Sequence, residues 1–174
     1  MSLLPILQFP DPILRKKAKK ITVFNVELKA LITNMVETMY EAPGVGLAAP
    51  QIGESIQLIV VNISEEDEEP QSMAMINPKI TEEEGKQVDE EGCLSLLDLT
   101  ASVKRSKKIT VCYQDENGVK QTLTTEDRFA VVLQHEIDHL HGILFLDYLS
   151  TLKRTLYKKK IKKQLAAKKQ KVEA

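Results

Sequence analysis

The sequence predicts an α+β fold in which a mostly antiparallel sheet packs around a central helix, with an additional C-terminal helix. Two observations predict this fold class. Short segments rich in β-branched residues occupy the middle of the chain, and segments with apolar residues at helical spacing lie before and after them. With 174 residues, the chain is long enough for one domain with a substantial core and too short for two ordinary domains.

The first helix is predicted over residues 26–40, because apolar residues recur there at helical spacing. The sequence Asp-Glu-Asn-Gly at residues 115–118 is typical of a hairpin turn. Consecutive short strands joined by such turns favour antiparallel pairing. Strands are predicted over residues 57–62, 74–80, 86–89, 102–104, 107–114 and 120–124.

The central helix is predicted to begin after Thr124 or Thr125, since the acidic residues at 126–127 suit the positive end of a helix dipole. It should end at Gly142, because glycine readily takes the left-handed conformation that terminates helices. The apolar run at 129–133 and further apolar residues downstream are sufficient to bury this helix.

The central helix carries the sequence His-Glu-Ile-Asp-His at residues 135–139. Helix positions i and i+4 share a face, so His135 and His139 can bind one metal ion while Glu136 lies beside it. All three histidines of the chain fall within seven residues, and burying imidazoles beside a carboxylate is costly unless something such as a divalent metal compensates them. We therefore predict a metal site; a buried helix with two internally hydrogen-bonded histidines is the alternative. Asp138 should face away and support neighbouring structure.

A catalytic site of this type needs a third protein ligand and an open position for water. One peptidase arrangement has a histidine as third ligand at the position that Phe145 occupies here. Another uses a carboxylate well downstream, but beyond Asp147 the only acidic residue is Glu173, which lies in a basic tail. Upstream, Cys93 follows Gly92, which lets the backbone turn closely, and the acidic residues at 89–91 are unsuited to a core strand. We predict Cys93 as the third ligand.

Three blocks of sequence then occur in a diagnostic order: Gly-Val-Gly-Leu-Ala-Ala-Pro-Gln at 44–51, Glu-Gly-Cys-Leu-Ser at 91–95 and Gln-His-Glu-Ile-Asp-His at 134–139. Together they resemble the peptide deformylase family. The opening Phe-Pro-Asp-Pro at 9–12 also resembles the start of that family, so the resemblance runs to about Leu152. It implies a catalytic domain over residues 1–152, with residues 153–174 as a basic helical extension of the same domain.

The resemblance implies a metallohydrolase that removes the N-formyl group from the N-terminal formyl-methionine of newly synthesised polypeptides and releases formate. Metal-bound hydroxide would attack the formyl carbon, with Glu136 as general base and then general acid. The metal, the side-chain amide of Gln51 and the backbone N–H of Leu94 would stabilise the oxyanion. A metallopeptidase that cuts internal peptide bonds is a rival hypothesis, but its usual third ligand is missing here.

The segment around residues 44–46 has the composition of a peptide-binding strand. Its two glycines allow the main chain to approach a substrate and to hydrogen-bond to it as an extra strand would, although an ordinary loop is the alternative. With the resemblance, we expect substrate contacts at Gly44, Val45, Gly46, Val131 and Val132.

One thiolate and two imidazoles would accept Fe²⁺, Zn²⁺, Ni²⁺ or Co²⁺, so the ligand set alone does not identify the metal. The resemblance points to Fe²⁺, one ion per chain, for which the other three can substitute.

The chain departs from the family pattern at two places near the predicted site. Residues 96–100 read Leu-Leu-Asp-Leu-Thr, whereas the family commonly has an apolar residue followed by proline. Arg128 lies on the helix face of His135, where a small or apolar residue is expected; a solvated position in the first turn is the alternative. Leu97, Thr100 and Arg128 therefore keep open a second rival, a deformylase-like RNA-binding protein without catalysis.

Two cysteines, one of them wanted as a metal thiolate, argue against a disulfide framework and for a reducing compartment. The chain has no apolar run long enough to cross a bilayer, and the prolines near its start interrupt any signal-like segment. We expect a soluble cytoplasmic protein with no membrane partner and no DNA partner.

Charge is divided unevenly along the chain. Residues 151–174 contain ten Lys or Arg and one Glu, a net charge of +9, whereas residues 1–150 carry 14 basic and 24 acidic side chains, a net charge of −10. The basic C-terminal segment is predicted to form a helix that begins near Ser150. The acidic residues 65–69 are predicted to form an exposed loop. The helix should have a narrow apolar stripe formed by Leu152, Leu156, Ile161 and Leu165.

The basic helix presents a cationic surface suited to phosphate backbones. The resemblance implies that its partner is the ribosome, through rRNA near the tunnel exit; a solvated helix is the alternative. The residues predicted to bind are Lys158, Lys159, Lys160, Lys162 and Lys163.

Overall fold

The computed structural model describes residues 3–64 and 69–172. Most of the acidic segment predicted as an exposed loop, residues 65–68, lies outside the described residues. The α+β fold class is confirmed. The helices are α1 (Val26–Glu41), α2 (Asp127–Leu140) and α3 (Thr151–Val172), and the strands are β1 (Gly46–Ala48), β2 (Leu58–Asn62), β3 (Ser72–Glu84), β4 (Gln87–Gly92), β5 (Thr100–Arg105), β6 (Lys108–Gln114) and β7 (Lys120–Glu126).

The strands form a five-stranded sheet of order β1-β2-β3-β6-β7 and a two-stranded sheet of β4 and β5. In the described part of the chain, every pairing between these strands is antiparallel, as predicted. The short strand β1 was not predicted. It is three residues long and fully buried, so it has neither the length nor the alternation that marks a strand in sequence.

Helices α1 and α2 cover opposite faces of the five-stranded sheet. Alternate residues of β2 point to different sides: Leu58 and Val60 pack with α1, whereas Ile59 and Val61 pack with α2. Helix α1 begins where the Asn25 side chain accepts a hydrogen bond from the Leu28 N–H at 3.0 Å. The prediction of a central helix packed on the sheet is therefore confirmed.

Helix α2 is buried along nearly its whole length, including residues 130–137. It starts at Asp127, slightly later than predicted, because β7 continues to Glu126. It ends at Leu140, two residues before the predicted stop at Gly142, which has φ +71° and where a side chain would collide with the backbone of Arg15.

Strand β4 corrects the expectation that residues 89–91 are unsuited to a core strand. The strand runs through them to Gly92, and its side chains alternate so that Glu90 is exposed and Glu91 is buried. A buried carboxylate is tolerated in this position because Arg105, at the end of the paired strand β5, contacts it.

Helix α3 begins at Thr151, as predicted, but the predicted apolar stripe is confirmed only in part, because Ile161 alone of its four residues is buried and Leu165 is 44% exposed. Leu152 and Leu156 are 68% and 57% exposed, whereas Tyr157 and Ile161 are buried in a cluster with residues such as Leu96 and Phe145. The helix buries a different face from the one predicted, because the Tyr157 ring packs against Phe9, with 5.9 Å between ring centroids. None of the helices in the described residues is long and apolar enough to cross a membrane.

Candidate active site

A thiol and two imidazoles converge between α2 and the end of β4. Cys93, His135 and His139 each offer a ligand atom within 4.8 Å of the other two. The Cys93 Sγ lies 3.3 Å from the His139 Nε2. Two such atoms bound tetrahedrally to one ion would be about 3.6 Å apart, given typical metal–ligand distances. The described donor set therefore fits a single divalent metal ion.

The His135 ring is oriented by Glu91. Its Nδ1 lies 2.8 Å from the Glu91 Oε2, which leaves Nε2 as the ring nitrogen available to a metal. Arg105 donates two hydrogen bonds to the same carboxylate, at 2.7 and 3.0 Å. Burial alone would raise the pKa of Glu91, but the hydrogen bonds from His135 and Arg105 outweigh it and hold the pKa below its usual range. The carboxylate is therefore ionised at neutral pH.

The same arginine continues the network to Asp138. Its Nη1 donates to the Asp138 Oδ2 at 2.5 Å, and the Tyr148 hydroxyl donates to that oxygen at 2.8 Å. The Tyr148 ring lies under the guanidinium, 4.5 Å from Cζ to the ring centroid. Asp138 thus supports neighbouring structure, as expected. Sequence reasoning missed Arg105 and Glu91 as network partners of Asp138, since only the placement of β4, β5 and α2 in the fold brings these residues together.

Glu136 is buried beside β1. Its Oε2 has no hydrogen-bond partner among the described residues, nor does the His139 Nδ1. A Cβ atom at Gly46 would lie 2.5 Å from the Glu136 Oε1, so only glycine allows this approach. Burial raises the pKa of Glu136 to about 7, with His135 lowering it and Glu91 raising it further. A buried carboxyl without a protein partner is suited to a ligand or water that it can hydrogen-bond.

The Gln51 amide is held in one orientation by its neighbours. Its Oε1 accepts a hydrogen bond from the Ala48 N–H at 2.8 Å, and its Nε2 donates to the Ser95 Oγ at 3.1 Å. The same Nε2 lies 3.6 Å from the Cys93 Sγ. The amide donor, not the carbonyl, therefore faces the thiol.

These groups lie at one side of a cleft of about 450 Å³, a volume in the range of small-ligand sites. Its outer part is formed by the segment 97–100 and by Arg128, whose side chain is 64% exposed and pairs with Asp89 at 2.8 Å. Arg128 is thus largely solvated at the rim. The five predicted substrate contacts, Gly44, Val45, Gly46, Val131 and Val132, all line the cleft, together with Gln51, Cys93, Leu94, His135 and Glu136.

Comparison with known proteins bears on what this cleft does. Residues 3–155 match the model of the polypeptide deformylase family. The chain belongs to this family. It is 62% identical over 164 residues to a peptide deformylase of Desulfotalea psychrophila, covering 94% of this chain and 97% of that protein.

Solved structures agree. A peptide deformylase from Legionella pneumophila superposes with a TM-score of 0.87 at 42% identity, covering 96% of this chain and 98% of that one. A peptide deformylase from Synechococcus elongatus in complex with actinonin superposes with a TM-score of 0.85 at 40% identity, covering 90% and 86%. This member of the deformylase family is accordingly a metal-dependent hydrolase that removes the formyl group from nascent peptides.

Proposed function

We propose that deformylation takes place at the cluster of Cys93, His135 and His139, with these three side chains holding one Fe²⁺ ion. The observation that carries this proposal is their convergence at the cleft beside the buried Glu136, whose Oε2 has no hydrogen-bond partner among the described residues. When bound, the ion lowers the pKa of a coordinated water and polarises the formyl carbonyl. Zn²⁺, Ni²⁺ or Co²⁺ can take the same ligands.

Glu136 acts as the proton carrier of the reaction. Its carboxylate takes a proton from the attacking water and returns it to the departing amine, so that formate and a free N-terminus result. Two observations support this role: Glu136 is buried, and its Oε2 accepts no hydrogen bond from any residue that the structure describes, which leaves that oxygen available to exchange a proton with water and substrate.

Gln51 and the backbone N–H of Leu94 stabilise the oxyanion. The Ala48 N–H and the Ser95 hydroxyl fix the Gln51 amide with its donor toward the thiol, so little reorganisation is needed when negative charge develops on the formyl oxygen.

The substrate backbone binds along β1. This strand is the first of the five-stranded sheet and pairs only with β2 in the described chain, so its other edge can hydrogen-bond to an extended peptide. Gly46 at the start of β1 and the preceding Gly44 and Val45 line the cleft and contact the substrate backbone, while Val131 and Val132 line the cleft beside them and contact the methionine side chain.

The central test is deformylation of formyl-Met-Ala-Ser by protein purified anaerobically, with metal analysis of the same sample. We expect formate release together with about one Fe²⁺ per chain. Cys93→Ala should lose metal and activity together, because two imidazoles do not complete the ligand set. A fully metallated and active Cys93→Ala protein would exclude the thiolate as a ligand.

We also propose that residues 1–152 form the catalytic domain and that 153–174 extend it as a ribosome-binding helix. Because the substrate is a nascent chain, the place of action would be the cytoplasm, at the tunnel exit. The side chains of Lys158, Lys159, Lys162 and Lys163 are exposed, which suits them to phosphate contacts with rRNA.

Replacing these four lysines by Gln leaves the buried Tyr157 and Ile161 in place, so lost docking is not confused with lost folding. We expect weaker ribosome binding, with the slope of log affinity against log salt reduced by about three. The control replaces the exposed Lys16, Lys17, Lys20 and Lys120 by Gln, an equal change of charge. Equal ribosome affinity for both variants would leave α3 as a solvated helix.

A further inference from the structure

The loop between β4 and β5, residues 93–99, forms the outer wall of the cleft; we term it the cleft loop. Its first residue, Cys93, is half-buried beside His135 and His139, whereas Leu97 near its tip is 52% exposed. Asp98 has φ +55°, a left-handed conformation that costs a non-glycine residue free energy unless neighbouring contacts hold it. Leu97, Asp98 and Leu99 all line the cleft.

Helix α3 contacts the tip of the cleft loop with two polar side chains. The Tyr157 hydroxyl donates to the Leu97 carbonyl at 3.1 Å. The Lys160 ammonium lies 3.4 Å from the Asp98 Oδ2 and also donates to the Asp98 carbonyl at 3.4 Å. One face of α3 therefore holds both residues at the outermost point of the cleft wall.

The inner half of the cleft loop is held separately. The Gln8 side chain donates to the Leu94 carbonyl at 2.9 Å, and the Phe9 N–H donates to the Ser95 carbonyl at 2.8 Å. Gln51 also donates to the Ser95 hydroxyl. A disturbance of the α3 contacts should consequently move residues 97–99 and leave the neighbourhood of Cys93 in place.

We propose that Tyr157 and Lys160 are positioning residues that set the cleft wall contacting the third and later residues of a formyl-methionyl substrate. This inference rests on the proposed location of the reaction at Cys93, His135 and His139. A peptide whose formyl group lies at that cluster must extend toward the exposed outer cleft, where Leu97 and Asp98 stand. Helix α3 thereby belongs to the substrate-binding unit through its inner face, and Lys160 differs from the other predicted rRNA-binding lysines in being paired with the cleft loop.

The test compares a formylated dipeptide with a formylated tetrapeptide as substrates of the full-length, metal-loaded protein. Tyr157→Phe removes only the hydroxyl and keeps the ring against Phe9, and Lys160→Gln removes the charge at a half-exposed position. Lys153→Gln makes the same change of charge on α3 away from the cleft loop and is the matched control.

For Tyr157→Phe and Lys160→Gln we expect KM for the tetrapeptide to rise roughly three- to tenfold, as loss of one hydrogen bond or ion pair would give, with kcat nearly unchanged. KM for the dipeptide, and both constants of Lys153→Gln, should match the wild type. Asp98→Asn combined with Lys160→Gln should be no worse than either alone, because both remove one ion pair.

An unchanged tetrapeptide KM in both variants would overturn the proposal. An equal rise for the two peptides would also overturn it, since that would indicate general damage to the site. If Tyr157→Phe lowers the melting temperature, its KM no longer separates lost positioning from lost folding. The Lys160→Gln result then tests the proposal, because Lys160 is partly exposed and its replacement should not disturb the core. Failure of the wild type to release formate from either peptide would instead contradict the proposed function.

Discussion

Helix α2 lines the cleft and helix α3 contacts the cleft loop, and the two helices are stabilised in opposite ways. Helix α2 is buried along residues 130–137, and its His135 and Asp138 belong to a network in which Arg105 and Glu91 are each only 4% exposed. Helix α3 buries Tyr157 and Ile161 but exposes most other side chains, and its ion pair from Lys160 to Asp98 is 44% and 66% exposed. The first region is organised by buried charge, and the second by two apolar anchors.

The difference shows that a polar residue needs a specific protein partner when it is buried but not when it is exposed. A buried charge is costly unless it is paired and hydrogen-bonded, so each polar group in the α2 region has a restricted choice of partner. On α3, water can hydrogen-bond to any exposed polar side chain that has no protein partner. Substitutions should therefore have large effects around α2 and graded, smaller effects along α3.

The largest effect is expected for Glu136→Gln. The substitution keeps the shape and the predicted metal ligands but removes the proton carrier, so kcat should fall on the order of a hundred- to ten-thousandfold. Steady-state kinetics with metal analysis would check this, and metal content should stay at the wild-type level. Wild-type kcat in this variant would show that another group carries the proton.

The contrast between buried and exposed charge can be measured with two arginines. Arg105→Met leaves the buried carboxylates of Glu91 and Asp138 without their cation, and should lower the free energy of unfolding by about 3–5 kcal/mol. Arg128→Met removes an exposed ion pair with Asp89 and should cost less than about 1 kcal/mol. Urea denaturation of the metal-loaded proteins would separate the two. Similar losses for both would mean that burial does not govern this network.

On α3, the same comparison of a buried with an exposed side chain can be made with two apolar residues, Ile161 and Leu156. Ile161→Ala removes a buried side chain and should lower the free energy of unfolding by roughly 2 kcal/mol or more. Leu156→Ala alters a side chain that is 57% exposed, and its effect should lie within about 0.5 kcal/mol. Thermal or urea unfolding tests this directly. A larger loss for Leu156→Ala than for Ile161→Ala would show that Leu156 packs on the core, as the sequence predicted.

The smallest effect concerns a partly exposed ion pair outside both helices. Burial would raise the pKa of Asp147, but the hydrogen bond from Arg15, at 2.6 Å, and that from the Leu144 N–H hold it below its usual range. A carboxyl with a depressed folded-state pKa contributes stability above its unfolded-state pKa of about 3.9, and this is lost as the pH falls through the folded-state value.

Asp147→Asn does not titrate, so its melting temperature should lie below that of the wild type by the largest margin at neutral pH. The gap should close as the pH falls below about 4. Melting curves between neutral and strongly acidic pH give the measurement. A gap that stays constant over this range would mean that the Asp147 charge contributes no stability.

The sequence by itself determined what depends on local spacing. Helical periodicity predicted α1 to within one residue of its observed end, and Gly142 marked the end of α2 to within two residues because only its backbone tolerates that position. The i, i+4 spacing of His135 and His139 placed both imidazoles on one face before any tertiary contact was known. The chemistry of Cys93 as a soft ligand likewise needed no structure to suggest it, and the structure places its Sγ 3.3 Å from the His139 Nε2.

Only the tertiary structure decided which distant polar groups meet and which helix face is buried. Glu91 meets Arg105 and His135 because the placement of β4, β5 and α2 in the fold brings together residues that are separated by 14 and 44 positions in the chain. Likewise α3 turns Tyr157 inward because Phe9, Leu97 and the apolar cluster around Leu96 are there to receive it. Such contacts depend on the relative placement of whole elements, which local periodicity does not encode.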